Sequence, residues 1–163
     1  MADTVLDAII YDVSIWTWPT HHRADQPPNG LVEAGREGLH EILVDLEDSI
    51  DVSGFVCERL SIADFSLFPH VSSLKPLAIL LGQTTYPKLL RWNRQMRMEK
   101  SVQEDLEYVK RSAFEKFGSG ESPYEAEKIV WRGDRIEWLL AHGFRDWLVS
   151  ELSSGRAVVP RSA

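Results

Sequence analysis

From Val5 to Ser153 the apolar residues recur every three or four positions, and no segment alternates apolar with polar residues for long. A chain with that period buries itself as amphipathic helices and offers little for a sheet. The gaps between periodic segments hold helix-stopping and helix-starting residues. Val5, Ile9, Val13 and Trp16 follow helical offsets until Pro19 halts them. His21 to Asn29, with Pro27 and Pro28, reads as a loop. After Gly30, the residues Leu31, Leu39, Ile42, Leu46 and Ile50 make a second stripe, and a short polar stretch with Gly54 follows.

Helix starts are clearest further on. Ser61-Ile62-Ala63-Asp64 is a capping box with Asp in place of the usual Glu, and Leu60 and Phe65 stand where a hydrophobic staple forms. That helix is expected to run to about Leu81, with Gly82 as its stop and a kink at Pro69. Pro87 opens the next helix, striped by Leu89, Trp92 and Met96. Ser101-Val102-Gln103-Glu104 reads as another capping box, ahead of Val102, Leu106, Val109, Ala113 and Phe117 at helical offsets up to Gly118. Ser122-Pro123-Tyr124-Glu125 combines an N-cap, a proline at N1 and a Glu at N3. The helix it starts carries Ile129, Ile136 and Leu140 and ends near Gly143. A last helix, about Phe144 to Ser153, stops at Gly155, and an irregular tail is expected. These segments predict an all-α domain of six or seven helices over residues 1–163. Chains of this length bury about 68–70% of their unfolded surface, enough to dispense with disulfides or a structural metal.

Charge and cysteine content narrow the function classes. The 18 Lys and Arg against 25 Asp and Glu leave a net charge of −7, which disfavours nucleic acid and anionic membrane as partners. Cys57 is the one cysteine, so no intrachain disulfide forms, and a reducing, cytoplasmic location is expected. The apolar run Leu77–Leu81 is too short to span a membrane. The Met-Ala-Asp-Thr start lacks the basic-then-apolar order of a signal peptide.

Gly54 to Leu106 resembles the all-helical C-terminal domain of glutathione S-transferases. Phe55, Leu60-Ser61-Ile62-Ala63-Asp64, Leu67 and Pro69 are similar to that family's capped central helix. Tyr86-Pro87-Lys88-Leu89-Leu90-Arg91-Trp92 is similar to its next helix entry, and Met96 to Val102 to the end of that helix. Trp131 to Val159 resembles the C-terminal extension of some bacterial members, giving residues 119–163 as a helical extension. The chain departs from the family at Glu58, often Gly there, and at Glu99-Lys100, often an Arg-Pro pair. No β-α-β pattern precedes these helices, so the thioredoxin-like domain that binds glutathione in that family is expected to be absent.

The resemblance implies a helical bundle that supplies an apolar wall for the second substrate and contacts for a homodimer. Glutathione would be co-substrate only when the domain is joined to a thioredoxin-like domain or partner. The helical domain alone would bind no cofactor and show no useful transferase activity. Tyr11 and Trp18 are seven apart, on one helix face, and with Trp131 they are the residues the resemblance points to as substrate-binding wall. Core or dimer-interface packing is the other reading of these three. A non-catalytic assembly module and a carrier of apolar ligands are the alternative functions.

The remaining chemistry-bearing residues read as structural. Ser61 and Asp64 are a helix cap, not a catalytic pair. Asp48-Ser49-Ile50, which superficially matches an acidic-Ser glutathione motif, is read as a helix end. His21, His22 and Asp25 lack a fourth zinc ligand and read as solvated loop, so no metal is expected. Cys57, with Arg59 nearby in sequence, is read as a buried or half-buried inert thiol. Arg132-Gly133-Asp134 falls in an expected helix and is not read as an adhesion motif.

Overall fold

The computed structural model describes residues 6–7, 9–10, 27–117, 129–130 and 133–158. Six α-helices occupy most of them: α1 (Leu31–Ser49), α2 (Ile62–Ser72), α3 (Pro87–Met96), α4 (Lys100–Phe117), α5 (Gly133–Ala141) and α6 (Arg145–Ser153). Residues Asp7, Ile9 and Ile10 are also helical. The all-α expectation holds, with one addition: Ile129–Val130 (β1) and Ala157–Val158 (β2) pair in parallel over two residues.

α1 is the longest support. It buries Leu31, Gly35, Leu39, Leu43 and Leu46 along one side, and Ile50 closes the row. Leu43 takes the fully buried place the sequence assigned to Ile42, which is only partly buried. At Gly38 the helical stretch before the Pro-rich loop comes close: an added Cβ would lie 3.3 Å from Ile9 Cδ1. The helix ends at Ser49, whose hydroxyl donates to the Asp45 carbonyl at 2.7 Å. That confirms Asp48-Ser49-Ile50 as a helix terminus.

A tight turn follows. The Asp51 carboxylate accepts from Ser53 N at 2.9 Å, and this bond to the Ser53 amide holds its pKa below the ordinary 3.8. Gly54 sits at φ +90° with α3 against it, and a Cβ there would approach Gln95 Oε1 to 2.7 Å. Gln95 can swing aside, but the backbone cannot relax. Gly54→Ala is therefore expected to cost about 1–2 kcal/mol, nearly all from the positive φ. Urea denaturation of this variant measures it, and a cost near zero would show that the turn rearranges.

α2 stops at Ser72, well short of the expected Leu81. Pro76 cannot donate to the Ser72 carbonyl and disfavours helical geometry at Lys75, so the chain leaves the helix and makes a 3₁₀ turn at Lys75–Leu77. The Ser72 and Ser73 hydroxyls both donate to the Pro69 carbonyl, at 3.0 and 2.6 Å, near that end. Arg36 of α1 ties the 3₁₀ turn down by donating Nε to the Leu77 carbonyl at 2.9 Å.

α4 begins at Lys100, so Ser101 lies inside the helix and the second capping box does not form. The turn after α3 is nearly helical itself: Met98 N donates to Gln95 O and Glu99 N to Met96 O. The next helix thus starts a residue before the Ser, with Gln103 N donating to Glu99 O at 3.0 Å. Val102 is buried, Leu106 is half-buried, and Val109 is 52% exposed, so the α4 stripe leaves the core as it proceeds.

The Ser122-Pro123 helix start lies outside the described residues. Ile129 belongs to β1, not to a helix, and Leu140 is exposed while Trp138 and Leu139 are buried. α5 and α6 each end in a Schellman motif with glycine at the left-handed position. Phe144 N reaches Leu139 O past Gly143 (φ +82°), and Arg156 N reaches Glu151 O past Gly155 (φ +70°). The tail does not trail away at once, because β2 returns to β1. The buried Glu151 carboxylate is met there by Arg156, 2.8 Å from Nη2 to Oε1.

The core runs through Leu6, the α1 row, Leu67, Phe68, Val71, Leu74 and Leu77, then Leu89, Trp92 and Met96. α3 packs on both α1 and α2, and α5 packs on α6.

Candidate functional site

The densest polar cluster begins with one carboxylate. Asp64 is completely buried at the third position of α2. Ser61 and Asp64 form the reciprocal capping box the sequence predicted. Oδ2 of Asp64 accepts from both Ser61 N and Ser61 Oγ at 2.9 Å. Oδ1 does something the local motif does not require. It accepts from Val56 N of the preceding loop and from Trp92 Nε1 of α3, each at 2.9 Å. One side chain thus joins a loop, the start of one helix and the middle of another.

Burial alone would push the Asp64 pKa up. The bonds from Val56, Trp92 and Ser61 outweigh it and hold the carboxyl below its ordinary 3.8. An ionised carboxylate with four donors and no exposed surface has neither a proton to give nor access to a substrate. The Ser61–Asp64 pair is structural.

A second junction lies between α1 and α3. Tyr86, the N-cap residue of α3, offers no side-chain cap, and Pro87 has no N–H. The next two amides point at Glu47 of α1. Lys88 N donates to Oε1 at 2.7 Å and Leu89 N to Oε2 at 2.8 Å. A carboxylate at this helix start also meets the positive end of the helix dipole. Nearby, the Tyr86 hydroxyl is hydrogen-bonded to His40 Nδ1, and burial of the phenol raises its pKa. Neither Glu47 nor His40 could be singled out from sequence, since both are polar residues on a helix full of them.

A third arrangement sits at the C-terminal end of α3. Arg97 donates Nε to Asn93 Oδ1 at 3.0 Å and lies over the Phe68 ring, 5.5 Å from its centroid. Asn93 is buried, and its Nδ2 has no hydrogen-bond partner. One sequence signal could have drawn attention here: between Asp64 and Glu99 there are five Lys or Arg residues and no carboxylate.

The sequence-predicted wall residues Tyr11, Trp18 and Trp131 lie outside the described residues, as do His21, His22, Asp25 and Arg132. Cys57 is corrected: its side chain is exposed, because the loop before α2 turns to the surface over Cys57, Glu58 and Arg59. Among the described residues no three His, Cys, Asp or Glu side chains are grouped to hold a metal ion. No helix among them is long and apolar enough to cross a membrane. Of the tryptophans described, Trp92 and Trp138 are buried and Trp147 is half-buried, so these pack as core. Comparison with protein-family models, with curated proteins and with solved structures yields no match.

Proposed function

We propose that this chain is the helical half of a glutathione S-transferase-like protein. In this reading it supplies an apolar wall for an electrophilic co-substrate and contacts for a homodimer. Activation of the glutathione thiol belongs to a thioredoxin-like domain, on the same or another polypeptide. The observation that carries the reading is the use made of Asp64. Ser61, Asp64 and Trp92 are among the residues on which the sequence resemblance rests, and they meet at one buried carboxylate.

Two titrations test this. With the chain alone, conjugation of glutathione to 1-chloro-2,4-dinitrobenzene is expected to run at the uncatalysed rate. A kcat/KM above that background overturns the division of labour. S-hexylglutathione is expected to quench tryptophan emission saturably, whereas glutathione is not, because only the hexyl chain finds an apolar wall. Replacing Tyr11, Trp18 and Trp131 by Ala should abolish the quench. No quench by S-hexylglutathione in the unaltered chain removes the wall.

A second reading, a non-catalytic assembly module, is favoured by one feature. α2 carries apolar residues on every side, yet Ile62 is 86% exposed and Phe65 39%. Helices apolar all round belong inside proteins.

A further inference from the structure

We propose that the outer face of α2, together with Arg97, is a docking site for an acidic amphipathic helix of a partner protein. The inference does not rest on the transferase reading. Ile62, Phe65 and Pro69 stand at i, i+3 and i+7, and all three are exposed. They form an apolar ridge of about 10 Å along the helix. Phe65 keeps 39% of its surface in solvent. A helix ridge offers no unpaired backbone groups, so a strand cannot add to it. The occupant must bring its own hydrogen bonds satisfied, which a helix does.

Charge settles the sign of that helix. Phe68 lies about 60° round α2 from Phe65, and the Arg97 guanidinium rests on its ring. Asn93 Oδ1 holds Nε, so the guanidinium is fixed by two contacts while its terminal nitrogens have no hydrogen-bond or ion-pair partner among the described residues. An ordered arginine has already lost the side-chain entropy that a carboxylate contact would otherwise cost. No carboxylate of this chain lies in sequence between Asp64 and Glu99, and none among the described residues forms an ion pair with Arg97, so the complementary negative charge is assigned to the partner. Arg91 and Arg94 are also exposed on the same helix as Asn93 and add positive charge to it. The acidic groups that meet this helix are Glu47 at the Lys88 and Leu89 amides, Asp64 at Trp92, and Asp51, which feels Lys88.

The probe is a fluorescein-labelled peptide of about 16 residues with Leu at i, i+3, i+4 and i+7 of a helical repeat and Glu elsewhere. Its comparators are the same peptide with Lys for Glu and the Glu peptide in scrambled order. With a net charge of −7, the chain as a whole favours the Lys peptide, so the expected preference is a stringent one. In about 50 mM salt the Glu peptide should bind at least about tenfold tighter than either comparator. Arg97→Gln should erase most of the Glu-over-Lys preference. Ile62→Gln should weaken the Glu peptide about tenfold. Both side chains lie on the surface, and circular dichroism should be unchanged. Equal binding of the Glu and Lys peptides, equal binding of the scrambled peptide, or no binding at all overturns the proposal. So does retention of affinity in Ile62→Gln, which would reduce the site to a bare cationic patch.

Discussion

Replacing Asp64 with Ala is expected to cost about 3–5 kcal/mol, a large part of what holds a domain of this size together. The loss has three sources. Trp92 Nε1, deep in the core, is left with no acceptor. Val56 N loses its acceptor at the loop. Ser61 N, at the start of α2, loses its cap, itself worth about 0.5–2 kcal/mol. Asp64→Asn should be gentler, about 1–2 kcal/mol, because its carbonyl can still serve Val56 and Trp92 while its amide faces the Ser61 N–H. Urea denaturation should rank the chains wild type, Asn, Ala. If Asn is as damaging as Ala, the negative charge matters more than the acceptor geometry.

The same carboxylate sets a pH dependence with a definite sign. Its folded pKa lies below the ordinary 3.8 that it has when unfolded. The stabilisation is therefore fully present above that ordinary value and is lost as pH falls through the lower, folded one. Asp64→Asn has no such proton to bind. The stability gap between wild type and Asp64→Asn should be constant near neutrality and narrow in acid. A gap that widens on acidification would contradict the donor arrangement around Asp64.

Glu47→Ala is the second large effect, expected at about 2–3 kcal/mol. It strips both acceptors from Lys88 N and Leu89 N at once, and Pro87 and Tyr86 provide no replacement. Glu47→Gln should recover about half, since one amide oxygen can still accept. Hydrogen exchange adds a local readout: the Lys88 and Leu89 amides should lose protection before those in the middle of α1. If Glu47→Ala unfolds at the wild-type urea concentration, solvent caps α3 adequately and the junction with α1 rests on packing alone.

Much of this architecture could be read along the chain. Pro87 as first residue of α3, Gly143 and Gly155 as C-terminal stops, and the Ser61–Asp64 cap act over one helical turn. Their chemistry is complete within a few residues, so the order of the letters suffices. Errors arose where two local signals competed. Pro76 ended α2 long before Gly82 could, and the helical turn after Met96 started α4 before Ser101 could cap it. Ile129 kept a helical offset from Ile136 but pairs with Ala157, a partner 28 residues away that periodicity cannot reveal.

The candidate site divides along the same line. By itself, the sequence determined that the chain is helical, where most helices begin and end, and that Asp64 caps one of them. Only the tertiary structure decided that the cap's second oxygen holds Trp92, that Glu47 closes a helix 40 residues on, and that Arg97 stacks on Phe68. It also decided that Cys57 and the Ile62 face of α2 meet solvent. Periodicity states that a residue has an apolar side; which neighbour covers that side depends on how the helices cross. A carboxylate on a helix has the same local chemistry whether it faces water or an orphan amide, and the packing of α1 and α2 on α3 makes the difference.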